Sequence, residues 1–256
     1  MGTLINAKDW AGLADWFETV SPAVRGKYYE WWLTSLNRSQ RWARLAVVCE
    51  ALQPLLEAKS GPRMGTCRLY RASALTNLGR HAEAAAAHME NWRLGYREGF
   101  VNACSEAQLA EDWTNLLTWS EEQLQKNPGH AAGNAWKGEA LAHLERRDEA
   151  VTFLRAAVAE DPMLAYAWNN LGHCLNEQKA WTEACEALDK ALALEPRQIE
   201  SLINRGKARF ELRRFKESRD DFQAALALRP GDPVLTENLH QAERYAALPA
   251  PASKMR

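Results

Sequence analysis

From residue 131 onward, apolar and small side chains recur at helical spacing and break off at regular intervals. Residues 131–144 set Ala135, Gly138, Leu141 and Leu144 on one helical face. A polar break at Arg146-Arg147-Asp148 follows, and Ala150, Val151, Leu154, Ala157 and Val158 then mark a second helix. Asp161-Pro162 ends it, because proline disfavours helical backbone at the residue before it and lacks the N–H that would continue the ladder. The plan recurs over 165–194 and 199–230. Pro128, Pro162, Pro196 and Pro230 each stand 34 residues from the next, and Gly138, Gly172 and Gly206 keep the same step. Small residues share it at Ala150, Ala184 and Ser218 and at Ala157, Ala191 and Ala225. Such a period means one helix-pair unit copied end to end, each copy burying its apolar face against its neighbours. Glycine and alanine at matched places predict close helix contacts, where a larger side chain would cost ~1–3 kcal/mol through overpacking.

Upstream the pattern decays without vanishing. Residues 97–128 keep the length, with Cys104 in the glycine place and Pro128 at the close; residues 65–95 keep Ala72, Leu75, Leu78-Gly79-Arg80 and Ala84. Residues 24–59 read as a longer pair turning near Asn37-Arg38-Ser39, and 7–19 as a lone helix carrying Trp10, Leu13, Ala14, Trp16 and Phe17. Beyond Pro230, residues 233–247 read as a capping helix and 248–256 as a disordered tail. The expected organisation is one repeat domain over 1–247: divergent Trp-rich helices over 1–60, degenerate repeats over 65–128, three well-matched repeats over 131–230, and the cap.

These segments resemble tetratricopeptide repeats, whose pattern is Trp–Leu–Gly–Tyr in the first helix, Ala–Phe–Ala in the second and a closing proline. The middle repeat carries it as Trp168, Leu171, Gly172, Leu175, Ala184, Leu188, Ala191 and Pro196. The repeat before it reads Asn134, Lys137, Gly138, Leu141, Ala150, Leu154, Ala157 and Pro162; the one after reads Leu202, Arg205, Gly206, Arg209, Ser218, Phe222, Ala225 and Pro230. Arg205 and Arg209 fall where apolar residues are usual, so this last repeat is expected to pack loosely or through their aliphatic stems. The resemblance implies an all-α fold: a right-handed α-α superhelix, or solenoid, of about six helix pairs, with an extra N-terminal helix and a C-terminal capping helix. It also implies that the first helices of the repeats line a concave groove.

Carried onto this chain, the groove positions include Asn102, Trp136, Glu139, Tyr166, Asn169, Asn170, His173, Ile203, Asn204, Lys207 and Phe210. Asn102, Asn170 and Asn204 share one place, an asparagine ladder like that of repeats that grip an extended peptide. A side-chain amide offers an acceptor and two donors, so it can pair with a peptide backbone of any sequence. In that reading Trp136, Tyr166, Ile203 and Phe210 form side-chain pockets, while His173 and Lys207 tune charge. Asparagine is also common at this place in repeats with no known ligand, and Trp136, which interrupts the ladder, would be buried if the superhelix closed on itself or on the N-terminal helices. The Lys/Arg clamp with which chaperone-binding members of the family hold acidic C-termini is absent, which argues against a heat-shock chaperone tail as ligand.

Composition narrows the classes. At 46% hydrophobic and 25% charged residues, with a net charge of −1, the chain reads as packed and soluble rather than as a general polyanion binder. No apolar run approaches a bilayer span and the N-terminus lacks a secretory pattern, so the expected setting is cytoplasmic, with no membrane. Abundant alanine and an excess of arginine over lysine hint at a bacterial source. The five cysteines show no paired spacing, and the six histidines form no metal-ligand pattern. With no phosphate loop or nucleophile elbow either, no enzyme activity, no metal and no cofactor are expected. Eight bases against three acids between 197 and 219, and six acids without a base between 98 and 122, suggest a partner bearing an acidic stretch. Nucleic acid is not expected, since stacking aromatics are few in the basic stripe. Five of the eleven tryptophans, Trp10, Trp16, Trp31, Trp32 and Trp42, fall in the first 42 residues. Most are expected in the core, yet Trp31 and Trp32 diverge by ~100° on a helix and cannot both face inward. The reading is a non-catalytic adaptor holding a peptide or protein segment in its groove. The alternatives are a structural subunit or homo-oligomer assembled through the Trp-rich helices, and a regulator or immunity-type inhibitor of a partner enzyme.

Overall fold

The structure, a computed structural model, describes residues 1–57, 63–96 and 98–248, so of the expected tail only Leu248 lies within the described residues. Every regular element among them is helical. The order is α1 (Gly2–Asn6), α2 (Trp10–Thr19), α3 (Pro22–Lys27), α4 (Tyr29–Arg38), α5 (Trp42–Glu57), α6 (Arg63–Asn77), α7 (His81–Arg93) and α8 (Gly99–Leu109). It continues with α9 (Trp113–Lys126), α10 (Ala131–His143), α11 (Arg147–Glu160), α12 (Ala165–Glu177), α13 (Trp181–Leu194), α14 (Ile199–Glu211), α15 (Phe215–Leu228) and α16 (Pro233–Ala246). Helices α4–α5, α6–α7, α10–α11, α12–α13 and α14–α15 pack as sequential antiparallel pairs. The N-terminal region is more broken than its spacing suggested: α1 precedes the expected first helix, and α3 is a separate turn begun by Pro22. Proline suits a first helical position because the N–H it lacks would have no partner there. The chain divides into two compact units, Met1–Trp119 and the part from Ser120 onward.

In the first unit the tryptophans fill the core. Leu13, Phe17, Leu33, Leu36 and Leu45 are fully buried, with Trp10, Trp16 and Trp42 packed around them. Trp32 is buried at 7% exposure while Trp31 stays 40% exposed, the divergence that helical geometry demands. The rim is tied to α2 by two ion pairs, from Arg41 just before α5 to Asp15 at 2.5 Å and from Arg44 in α5 to Glu18 at 2.8 Å.

In the second unit the periodic glycines sit where two helices of a pair touch. A Cβ on Gly138 would stand 2.6 Å from Leu154 Cγ, and one on Gly206 2.8 Å from Phe222 Cε1. The turns repeat as faithfully as the helices. Glu145, Lys179 and Arg213 take left-handed φ of 63°, 61° and 61°, as does Glu111 of the first unit at 54°. The residue after each donates its backbone N–H five residues back, as from Arg146 to the Leu141 carbonyl at 2.9 Å, which satisfies the last carbonyls of the preceding helix.

The last repeat corrects one expectation. Arg205 and Arg209 do not loosen it: they converge on Asp221, which is 4% exposed. Arg205 donates to Asp221 from Nε at 3.1 Å and Nη2 at 2.6 Å, and Arg209 from Nη1 at 2.7 Å. Asp189 accepts a further bond from Arg205 at 2.6 Å. Burial works against the Arg205 charge, but the bonds to Asp221 and Asp189 outweigh it and raise its pKa. The apolar contact that other repeats make here is replaced by a guanidinium–carboxylate network, with Ser218 Oγ donating to the Gly206 carbonyl at 2.7 Å.

Candidate functional site

The second unit brings most of the predicted groove residues together on α10, α12 and α14, the first helices of the three regular repeats. Their centre is a connected set of amides. Asn169 Nδ2 donates to Asn170 Oδ1 at 3.3 Å, and Asn170 Nδ2 donates to Glu139 Oε2 at 3.2 Å. Ser201 Oγ donates to Asn169 Oδ1 at 3.0 Å, and Asn204 Nδ2 reaches the same oxygen at 3.4 Å. Asn169, Asn170 and Asn204 are half-buried and Glu139 is buried. Each amide keeps a second N–H beyond these bonds, and Asn170 and Asn204 also keep acceptor capacity, so the network orients the asparagines without exhausting them.

These residues line an open cleft of about 280 Å³ between α12 and α14, with Ile203, His173 and Glu200 completing its walls. Glu200 is held by Arg229 at 3.0 Å. Burial is the main cause that lowers the His173 pKa, with Lys207 and Arg147 acting the same way and Glu177 against them. Lys207 is exposed on α14. Burial also pushes the neighbouring Cys174 thiol up to about 11, which leaves it protonated.

Two aromatic positions depart from open pockets. Trp136 does stand beside Tyr166, with ring centroids 5.6 Å apart, but it is only 8% exposed and so serves as a packed wall. Phe210 packs edge-on against Phe215 at 5.2 Å and against Tyr245 of α16 at 5.3 Å, forming an aromatic trio with the capping helix. Asn102 lies exposed on α8 in the first unit.

Two supporting residues carry no periodic signal. Ser201 is fully buried beneath Asn169, at a place occupied by Ala167 one repeat earlier, and its bond to the amide cannot be read from helix spacing. Asn176 Nδ2 donates to the Asn204 carbonyl at 2.8 Å and ties α12 to α14, at a place that holds Phe210 one repeat later. Among the described residues no cluster of three or more metal-ligating side chains occurs. Nor is any helix there long and apolar enough to cross a membrane.

Comparison with known proteins agrees with this architecture. One tetratricopeptide repeat family model matches residues 199–232 and another matches residues 121–163 and 154–199. Sperm-associated antigen 1 of Rattus norvegicus is 28% identical over 151 residues, covering 59% of this chain. The chain spans only 17% of that relative's length. Among solved structures, a thermophilic TPR protein of Thermus thermophilus aligns with a TM-score of 0.55 at 19% identity, covering 70% of this chain and 99% of that one. YrrB, described as a TPR protein with an unusual peptide-binding site, aligns with a TM-score of 0.51 at 18% identity, covering 69% and 91%. At these identities the structural likeness is one of fold.

Proposed function

Since this chain is a tetratricopeptide repeat protein, matched by the family over residues 121–232, we propose that it is an adaptor that holds an extended protein or peptide segment on α10, α12 and α14. Repeats of this family mediate protein–protein interactions. The observation that carries the finer reading is the oriented amide series of Asn169, Asn170 and Asn204 beside the apolar wall of Ile203. Amides held in place by Glu139, Ser201 and one another lose less freedom when a backbone docks on them, which favours binding of any side-chain sequence.

Charge adds a preference at the C-terminal repeat. Of the eight bases between 197 and 219, Arg205, Arg209, Arg214 and Arg219 are engaged in ion pairs. Arg197, Lys207, Arg213 and Lys216 are exposed and would meet an acidic stretch of the partner. The test is capture of partners from native cells by the full chain and by an Asn102→Ala/Asn170→Ala/Asn204→Ala variant. The expected result is at least a tenfold loss of the captured partner from a variant with unchanged circular dichroism, and equal recovery would overturn the reading. A second reading rests on Trp31, which projects from α4 at 40% exposure while its neighbour is buried. There the Trp-rich end joins a second copy or a larger assembly, and the groove is secondary.

A further inference from the structure

The cleft between α12 and α14 does not end at His173. The same imidazole lines a second cleft, of about 230 Å³, shared by α10, the α10–α11 turn, the start of α11 and α12, with His143, Glu145, Arg147 and Glu177 around it. The two clefts differ in chemistry. The first presents amides and Ile203, whereas the second presents charge. Arg147 stands between two carboxylates, 2.5 Å from Glu145 but 3.9 Å from Glu177. Its guanidinium therefore neutralises Glu145 and leaves Glu177 largely unmatched. Counting the imidazoles as neutral at pH 7.5, two carboxylates against one guanidinium leave the cleft at −1. Burial favours the neutral form of His173, in agreement with that sum. Lys207 lines neither cleft.

We propose that this second cleft takes the side chain of a lysine or arginine from the segment held on the asparagines. The inference rests on the groove reading above and gives it a sequence preference. The clefts lie on either side of α12, so their centres are about one helix spacing apart, ~9 Å. An extended chain advances ~3.3 Å per residue, so the basic residue falls two to four residues from the apolar residue that covers Ile203. The basic end of the segment then lies toward α10, and any acidic stretch lies toward the free bases of α14 and α15. Glu145 and Glu177 are exposed at the rim, so the contribution is that of a solvent-screened ion pair, about threefold to fivefold in affinity.

The test is selection from a displayed library of random dodecapeptides on the full chain. Parallel selections use Glu145→Gln/Glu177→Gln and Asn170→Ala/Asn204→Ala variants whose circular dichroism matches the parent. The expected wild-type pool carries Lys or Arg two to four residues from an apolar position, and the double-Gln pool loses that preference. In a selected peptide, lysine replaced by norleucine should weaken binding to the parent about threefold to fivefold at low salt, with the difference shrinking in 0.5 M salt, where the Debye length is only ~4 Å. A wild-type pool enriched in Asp or Glu, or indifferent to charge, overturns the basic subsite and leaves the amide groove standing. Peptides that bind the double-Ala variant as well as the parent, or no enrichment on the parent, overturn the groove reading itself.

Discussion

His130 closes the first turn of α10 with an imidazole: its Nδ1 accepts the Gly133 N–H at 2.9 Å. A ring protonated on Nδ1 cannot accept, so the cap exists only in the neutral form. Burial lowers the His130 pKa, in keeping with that requirement. The sign follows from linkage: with a folded pKa below the ordinary value of ~6.5, the contribution is fully present above that value and is lost as pH falls through the folded pKa. His130→Ala should therefore cost about 1 kcal/mol at pH 7.5 and progressively less as the pH falls toward 5. His130→Asn, which keeps an acceptor at both, should hold its stability better than the parent on acidification. Urea unfolding of the three proteins at the two pH values measures this, and a pH-independent Ala deficit would refute it. Residue types alone did not mark this cap, since Ser, Thr, Asp and Asn are the usual signals. Ser201 and Asn176 escaped for a related reason: each looks like any small or polar helix residue until its partner on another helix is known.

At the scale of one helix pair, spacing carried the design almost completely. The 34-residue step of proline and glycine places the helix ends and the closest contacts, and Gly138 and Gly206 lie against Leu154 and Phe222 as the pattern requires. The left-handed turns keep the same step without a single glycine, so a search for glycine signals passes over them although the hydrogen-bond pattern is uniform. The last pair shows where pattern misleads. Arg205 and Arg209 look like defects in an apolar face, yet they bracket a carboxylate supplied by α15. Asp221→Ala leaves two largely buried guanidinium groups without their shared partner and should cost about 3 kcal/mol. Replacing the buried members together, Arg205→Leu/Arg209→Leu/Asp221→Leu, should come within about 1 kcal/mol of the parent, because no buried charge is then left stranded and Asp189 is solvent-exposed. Chemical denaturation monitored by circular dichroism separates the two outcomes. A triple variant as unstable as Asp221→Ala would show that shape, rather than charge pairing, governs this contact.

For the molecule as a whole, Trp31 separates the two functional readings. If the Trp-rich end joins two copies, light scattering of the parent gives a dimer mass and Trp31→Ala gives a monomer with the same helix content. A parent that stays monomeric at 100 µM eliminates the self-assembly reading and leaves the groove reading unaffected. The sequence by itself determined the helices of the regular repeats, their pairing and the repeat length. Those follow from proline and glycine placement and from the 3.6-residue period, properties of a residue and its near neighbours in the chain. Only the tertiary structure decided what each groove residue is free to do. Trp136 becomes a packed wall, Phe210 is engaged by Tyr245 from the capping helix, and Asn170 is aimed by Glu139 from the preceding repeat. The physical reason is that burial and hydrogen-bond partnership belong to pairs of residues 31 to 35 positions apart. A periodic pattern shows that such positions are neighbours; the side chains that happen to occupy them decide whether they touch.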